Sequence, residues 1–254
     1  MKKWRNLLVT LAVMLTCASA LGDDDSDEDV AQVQHWAMMG DMQAQNTLAL
    51  SYLNGDFGYQ SVEEARLWLA RAAEQGHPGA QTNLALLYLS GEADHDEERH
   101  AVDLLYSAAA QKFSGAQLIL GSLYEAGRDV PQNDEEAARW YGAAASQGNA
   151  AAQYHLAMLY CRGSGVKKDE AKASYWLRQA AQQGLSSAQF QLGRHYLYGV
   201  GVEADMLQAY QYLLEASMNV SRKSLDSRDL VSTGLTAEQI AEVQDETRNW
   251  QWRL

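Results

Sequence analysis

Cysteine and proline are almost missing from this sequence, and positive charge is scarce. Only Cys17, Cys161 and two prolines occur in 254 residues. So few prolines leave long helices uninterrupted, and so few cysteines exclude a disulfide framework. Twenty Lys and Arg stand against 33 Asp and Glu, a formal net charge of −13. A surface of that sign repels phosphate backbones and anionic headgroups and has no basic stripe, which excludes nucleic acid as a partner. Long apolar runs are lacking too: the most apolar stretch, Leu7 to Leu15, falls short of the roughly 20 residues that span a bilayer. What the chain does have is 47% hydrophobic residues, enough to bury a core.

The N-terminus differs from the rest. Lys2, Lys3 and Arg5 precede the apolar stretch, and Ala18, Ser19 and Ala20 close it, the pattern of a secretory signal peptide over residues 1–20. A retained membrane anchor and a lipid anchor through Cys17 are the weaker alternatives. Removing residues 1–20 takes away three bases and no acid, so the net charge falls to −16 and Cys161 is the one cysteine left. The expected location is the periplasm or outside the cell, with no membrane insertion after cleavage. Residues 21–29, with six acids between Asp23 and Asp29, read as an acidic disordered leader; calcium binding there is the less economical reading.

From there the sequence repeats itself every 36 residues. Ala44, Ala80, Ala116, Ala152 and Ala188 align, each followed by glutamine. Leu48, Leu84, Leu120, Leu156 and Leu192 align at the same offset, then Tyr52, Tyr88, Tyr124, Tyr160 and Tyr196, then Gly55, Gly91, Gly127, Gly163 and Gly199. A fixed period of this length means stacked supersecondary units. The Ala, Leu and Tyr share one helical face, and the Gly suits a left-handed C-cap. A second amphipathic segment follows, as in Ala65, Trp68, Leu69, Ala72 and Ala73, or Ala137, Trp140, Tyr141, Ala144 and Ala145. It ends at Gly76, Gly148 and Gly184, whereas the second unit has Lys112 there.

Each unit is therefore an antiparallel helix pair, and the fold class is all-α: an α/α superhelical solenoid of five 36-residue repeats over residues 30–217. Val30 to Gly40 matches the second helix of a unit and forms an N-terminal half-repeat. Residues 218–235 lack periodicity and read as a connection. Thr236 and Gln239 make a capping-box pair that opens a C-terminal capping helix over 236–254. The large side chains Trp68, Leu104, Trp140, Trp176 and Tyr212 fill the space between pairs, which favours packing over an aromatic ligand cage. Trp250 and Trp252 do not recur, and read as packing residues of the cap or as a docking patch.

The unit reads Ala-Gln, Leu, Leu-Tyr, Gly-x-Gly-Val, Ala, Trp-Tyr or Trp-Leu, Ala-Ala and Gln-Gly, clearest from Ala152 to Gly184. It resembles the Sel-1-like repeat, a relative of the tetratricopeptide repeat, over about residues 41 to 217. The closing Leu-Thr-Ala-Glu-Gln-Ile-Ala run is similar to the terminal helix of bacterial members. The resemblance implies an adaptor, assembly factor or regulator in protein complexes, often of the bacterial envelope. Some exported relatives are cysteine-rich and have been described as β-lactamase-like, so a cell-wall-related hydrolase is the alternative; this chain lacks their cysteines.

Catalytic chemistry is hard to assemble. Of His35, His77, His95, His100, His155 and His195, no pair has metal-ligand spacing with a fitting third ligand. His95, Asp96 and His100 come nearest, in a charged stretch that reads as a solvated turn. Cys161 stands where other units have Leu53, Leu89, Glu125 and Leu197, has no recurrent histidine beside it, and reads as filling a small slot. No cofactor, metal or catalytic residue is expected.

In a solenoid the framework repeats and the binding surface varies. The varying positions 43, 47, 50 and 54 form one helical stripe, carried on in later units by Asn83 and Leu86, Ile119 and Ser122, His155, Met158 and Arg162, and Gln191, Arg194 and Tyr198. A concave groove lined by these ten is the expected site, gripping a protein or peptide with the chain itself a monomer; the competing reading packs part of the stripe under the adjacent helix. N-terminal sequencing of exported protein is expected to give Leu21 as the first residue. Met1 retained in a membrane fraction would refute the signal peptide.

Overall fold

The computed structural model describes residues 26–56, 59–90, 95–218 and 222–251. Among them are thirteen helices and no strand. The chain divides into two compact units, residues 1–132 and 133–254. The first holds α1 (Ser26–Met38), α2 (Met42–Asn54), α3 (Val62–Glu74), α4 (Pro78–Ser90), α5 (His95–Ala110) and α6 (Ser114–Ala126). Each packs against the next, and α4 also meets α6. The second holds α7 (Asp134–Ser146), α8 (Ala150–Arg162), α9 (Glu170–Gln182), α10 (Ser186–Tyr198), α11 (Met206–Met218), α12 (Arg222–Ser232) and α13 (Ala237–Gln251). Successive helices from α7 to α12 pack in order, and α13 returns to α11.

Local chemistry starts and stops these helices at the repeat spacing. The side chains of Asp41, Ser61, Asn133, Asn149 and Asp169 accept backbone N–H bonds from the first turns of α2, α3, α7, α8 and α9. Gly55, Gly127, Gly163 and Gly199 end α2, α6, α8 and α10 with φ between +63° and +83°, a conformation that costs other residues a Cβ clash. Lys112 sits where Gly76, Gly148 and Gly184 do and adopts φ +63° all the same. The invariant alanines Ala80, Ala116, Ala152 and Ala188 are fully buried, as are Leu120 and Leu192.

A ladder of buried amides joins the pairs. The glutamine after each invariant alanine donates Nε2 to a carbonyl eight residues earlier, at the end of the preceding helix. The bonds are Gln45 to Ala37, Gln81 to Ala73, Gln117 to Ala109, Gln153 to Ala145 and Gln189 to Ala181, at 3.1 to 3.4 Å. Gln45, Gln81 and Gln153 in turn accept from Gln75, Gln111 and Gln183, thirty residues on. At the last rung Gln189 Nε2 also donates to Glu215 Oε2 at 3.1 Å, and burial holds the Glu215 carboxyl above its usual range.

The second glycine of Gly-x-Gly-Val has a different task. A Cβ on Gly165 would run into the backbone of Asp134, and one on Gly201 into that of Glu170. The loop after each of α8 and α10 thus lies directly on the first residue of a helix two elements back. Asp129 holds the corresponding place after α6, at φ +58°.

Three sequence expectations need correction. Helix α1 begins at Ser26, inside the run expected to be disordered leader, because four residues of that run continue the helix that Ala37 anchors in the core; residues 21–25 lie outside the described residues. Most of 218–235, expected to be a connection, is α12, whose Val231 is buried with Val243 of α13 against Ala209, Tyr210 and Leu213. Its apolar side is too short to register as a period. Likewise His95 to His100 open α5, where Asp96, Glu97 and Glu98 favour a helix N-terminus. The capping box forms: Thr236 N donates to Gln239 Oε1 and Gln239 N to Thr236 Oγ1. The side chains of Trp250 and Trp252 lie outside the described residues.

The glycines supply a paired test. Gly148 has φ +90° with nothing within 4 Å of an added Cβ, so Gly148→Ala should cost about 1 kcal/mol. Gly201→Ala meets the same penalty and also backbone overlap, which adds about 1–3 kcal/mol. Urea unfolding of the two variants should show the larger loss at position 201.

Candidate functional site

The ten stripe residues fall into two classes. In the first unit Asn83 and Leu86 of α4 are buried, at 6% and 7% exposure. Asn83 donates its amide to Asn46 Oδ1 on α2 at 3.2 Å. Both belong to the core, which corrects their place in the expected groove: the stripe here packs under the neighbouring helix. Ile119 and Ser122 of α6 are half-buried.

In the second unit the stripe reaches solvent. Repeat-equivalent residues of α8 and α10 come in three pairs: His155 with Gln191, Met158 with Arg194, and Arg162 with Tyr198. His155 is half-buried, its ring stacked on Tyr141 of α7 at 5.0 Å and 14°, so it serves packing. Met158 and Gln191 are half-buried, whereas Arg162, Arg194 and Tyr198 are exposed, Tyr198 at 64%. Arg194 reaches Gln191 Oε1 at 3.4 Å and lies 6.0 Å from the Phe190 ring. This face can offer two guanidinium groups beside a phenol and a thioether, a set suited to carboxylates and apolar side chains.

Next to it lies a polar cluster that position-by-position reading did not find. Cys161 Sγ is 3.8 Å from His195 Nε2, and Ser174 Oγ is 2.7 Å from His195 Nδ1. Ser174 also donates to the Val200 carbonyl at 2.8 Å. One hydroxyl hydrogen serves one acceptor, so Nδ1 must carry the proton that it donates to Ser174. Nε2 is then bare and accepts from the Cys161 thiol. Burial lowers the His195 pKa, though nearby Glu170 opposes this, and burial raises that of Cys161. Both groups are held neutral. A catalytic pair needs the thiolate, so this arrangement works against nucleophilic activation. Cys161 and His195 depart from the repeat, since other units have Leu87, Leu123 and Leu159, with Ser51 in the first, where His195 stands; the Ser174 position varies, with Arg66, Val102, Ala138 and Tyr210 in the other units.

Two open depressions flank the loops. One, of about 620 Å³, is lined by Tyr160, Val166, Lys167, Lys168, Asp169 and Lys172. The other, of about 670 Å³, has Tyr196, Val202, Glu203, Ala204, Asp205 and Gln208 at the same repeat positions, together with Arg178. Their recurrence 36 residues apart makes them a property of the loop. Two of the three lysines in the first are already engaged, Lys168 with Glu170 at 2.8 Å and Lys172 over the Tyr160 ring at 5.4 Å.

The family model described as Sel1 repeat matches residues 43–77, 78–113, 114–149, 150–185 and 186–220. A search of curated proteins finds no match. Among solved structures, a protective antigen of uropathogenic Escherichia coli with an SLR fold is 31% identical, with a TM-score of 0.78 over 97% of this chain and 53% of its own. The chain thus spans about half the length of that protein. A Sel1 repeat protein from Oxalobacter formigenes is 26% identical, with a TM-score of 0.71 over 98% of this chain and 73% of its own. An immunity protein of Pseudomonas aeruginosa, 20% identical, shares the fold with a TM-score of 0.54 over 85% and 84%.

The buried histidine makes stability depend on pH. Burial holds the folded-state pKa of His195 below its ordinary 6.5, so between the two values the unfolded chain takes up a proton that the folded chain refuses. This contribution is whole above pH 6.5 and is lost as pH falls through the folded value. The variant Ser174→Ala with His195→Leu, which installs the residues that the third repeat has as Ala138 and Leu123, removes the titration. Between pH 7.5 and 5.5 the wild type should lose more melting temperature than this variant; equal losses would refute the assignment.

Proposed function

Because the chain belongs to the Sel1 repeat family, whose members are in general non-catalytic protein-interaction scaffolds, we propose that it grips a segment of a protein partner on the α8–α10 face. The observation that carries this reading is the exposure of Arg162, Arg194 and Tyr198 at positions the framework does not use. On a chain of net charge −13, two cations on one face favour an acidic segment or a C-terminal carboxylate. Met158 and Tyr198 supply the apolar contact. The chain acts as a monomer, outside the cytoplasm, as a scaffold, assembly factor or regulator of the bacterial envelope. Neutralisation of a toxin falls in the same class, and one solved structure of this fold carries the name immunity protein. Among the described residues no helix is long and apolar enough to cross a membrane.

A cell-wall hydrolase is the second reading, and the Cys161–His195 contact is the feature that favours it. The neutral state of both groups and the burial of His195 count against it. Cys161→Ala should therefore leave the chain's function intact.

The deciding variant is Met158→Glu with Arg194→Glu, used beside wild type and Cys161→Ala to capture partners from an envelope extract. Losing a buried apolar contact of about 1.5–3 kcal/mol weakens binding by about tenfold or more. A partner held by wild type and Cys161→Ala should be lost by the double variant, with helicity by circular dichroism unchanged. Equal retention by all three would place the binding face elsewhere.

A further inference from the structure

The end of α1 breaks the repeat pattern in a way that packing does not explain. Residues 35, 38 and 39 correspond to the last turn of the second helix in later units. There the sequence has Arg71, Ser107, Ala143, Gln179 and Glu215 at the first position, Glu74, Ala110, Ser146, Gln182 and Met218 at the second, and Gln75, Gln111, Gln147, Gln183 and Asn219 at the third. Apart from Met218 these are small or polar residues, as a solvent-facing last turn requires, and none of these units sets a histidine beside a methionine there. In α1 they are His35, Met38 and Met39. Both methionines are almost bare, at 72% and 71% exposure, with Met42 at 43% just past the turn. The ladder makes no claim on position 39, because the residue thirty places earlier is Val9 and not a glutamine. Apolar side chains so exposed gain nothing from burial.

What the three share is donor chemistry and spacing. Residues i, i+3 and i+4 lie side by side on one helix face. Met39 still belongs to the helical ladder, since its N–H donates to the His35 carbonyl at 3.1 Å. The turn that follows is fixed by Gly40 at φ +96°, by Gly40 N to the Ala37 carbonyl and by Asp41 N to the Trp36 carbonyl, and it sets Met42 directly after the cluster. The carboxylate in that turn, Asp41, caps α2 by accepting from Ala44 N at 2.7 Å. A hard cation needs several oxygen ligands, and the three side chains offer none. An imidazole and two or three thioethers are the donors that hold a soft monovalent ion.

We propose that His35, Met38 and Met39, with Met42 beside them, form a surface site for a soft monovalent metal ion of the Cu(I) class. The site is independent of the α8–α10 face. It needs no change of fold, because every donor is on a flexible, exposed side chain at a rigid helix end.

Silver(I), a redox-inert ion of the same softness and charge, is the probe, in full-length mature protein carrying Cys161→Ala so that the thiol does not compete. Methionine methyl NMR should show the resonances of Met38, Met39 and Met42 shifting together and saturating at one equivalent. Met158, Met206 and Met218 should stay still. Adding His35→Ala, Met38→Leu and Met39→Leu keeps the apolar surface but removes the donors, and should weaken uptake of silver(I), and of Cu(I) under anaerobic competition, by about tenfold or more. Uniform shifts of all methionines, or equal uptake by the leucine variant, would overturn the proposal and leave this patch as an apolar docking surface. All these side chains are exposed, so the substitutions should leave the melting curve unchanged.

Discussion

The amide that follows each invariant alanine closes a carbonyl that the preceding helix cannot use itself. The last carbonyls of a helix have no intrahelical partner. In this chain those of Ala37, Ala73, Ala145 and Ala181 each take one bond from a glycine in the turn and a second from the glutamine eight residues on. Each glutamine is at least 93% buried, so a missing acceptor would cost about 1–3 kcal/mol. That penalty fixes where one helix ends and how the next one begins against it. The alanine before the glutamine is fully buried in the last four repeats, which leaves no room for a larger side chain. Ala, Gln and the closing Gly therefore recur as a unit, and the repeat is the visible form of a hydrogen-bonding requirement.

This explains which parts of the structure were legible in the sequence. The helix pairs, their caps and the capping box at Thr236 all rest on residues with one conformational or hydrogen-bonding job, and such residues recur. Helix α12 was missed because it is held mainly through Val231, which makes no period. The start of α1 was missed because acidic composition reads as solvation even where a helix runs through it. Asn83 and Leu86 were misplaced for a subtler reason: variation marks a position free of the shared framework, but it does not mark it as exposed. Asn83 varies because it answers Asn46, a local pairing between two neighbouring helices.

Departures from the repeat are thus of two physical kinds. Buried departures satisfy one another, as Ser174 and His195 do together with the half-buried Cys161, since an unpaired polar group in the core is costly. Exposed departures are not called for by packing, as with Met38 and Met39 or Tyr198. The first kind records compensation during packing, and the second is where an external ligand leaves its mark. His35 stands out less than a histidine beside carboxylates or thiols would, because its neighbours at i+3 and i+4 are thioethers.

The buried kind could have been found without coordinates, because helix stacking turns sequence separation into distance. First helices of successive units touch at offsets of 34 to 37 residues: Gln43 with His77, Asn46 with Asn83, Cys161 with His195. A second helix meets the next first helix at an offset of 18, as in Tyr106 with Tyr124 and Arg178 with Tyr196. Cys161 and His195 are 34 apart, and both replace leucine in most other units. Two unusual residues at a contact offset are evidence of a pair, whereas reading each against its own column makes them look like unrelated oddities. The histidine that Cys161 meets lies one repeat away in the chain, not beside it.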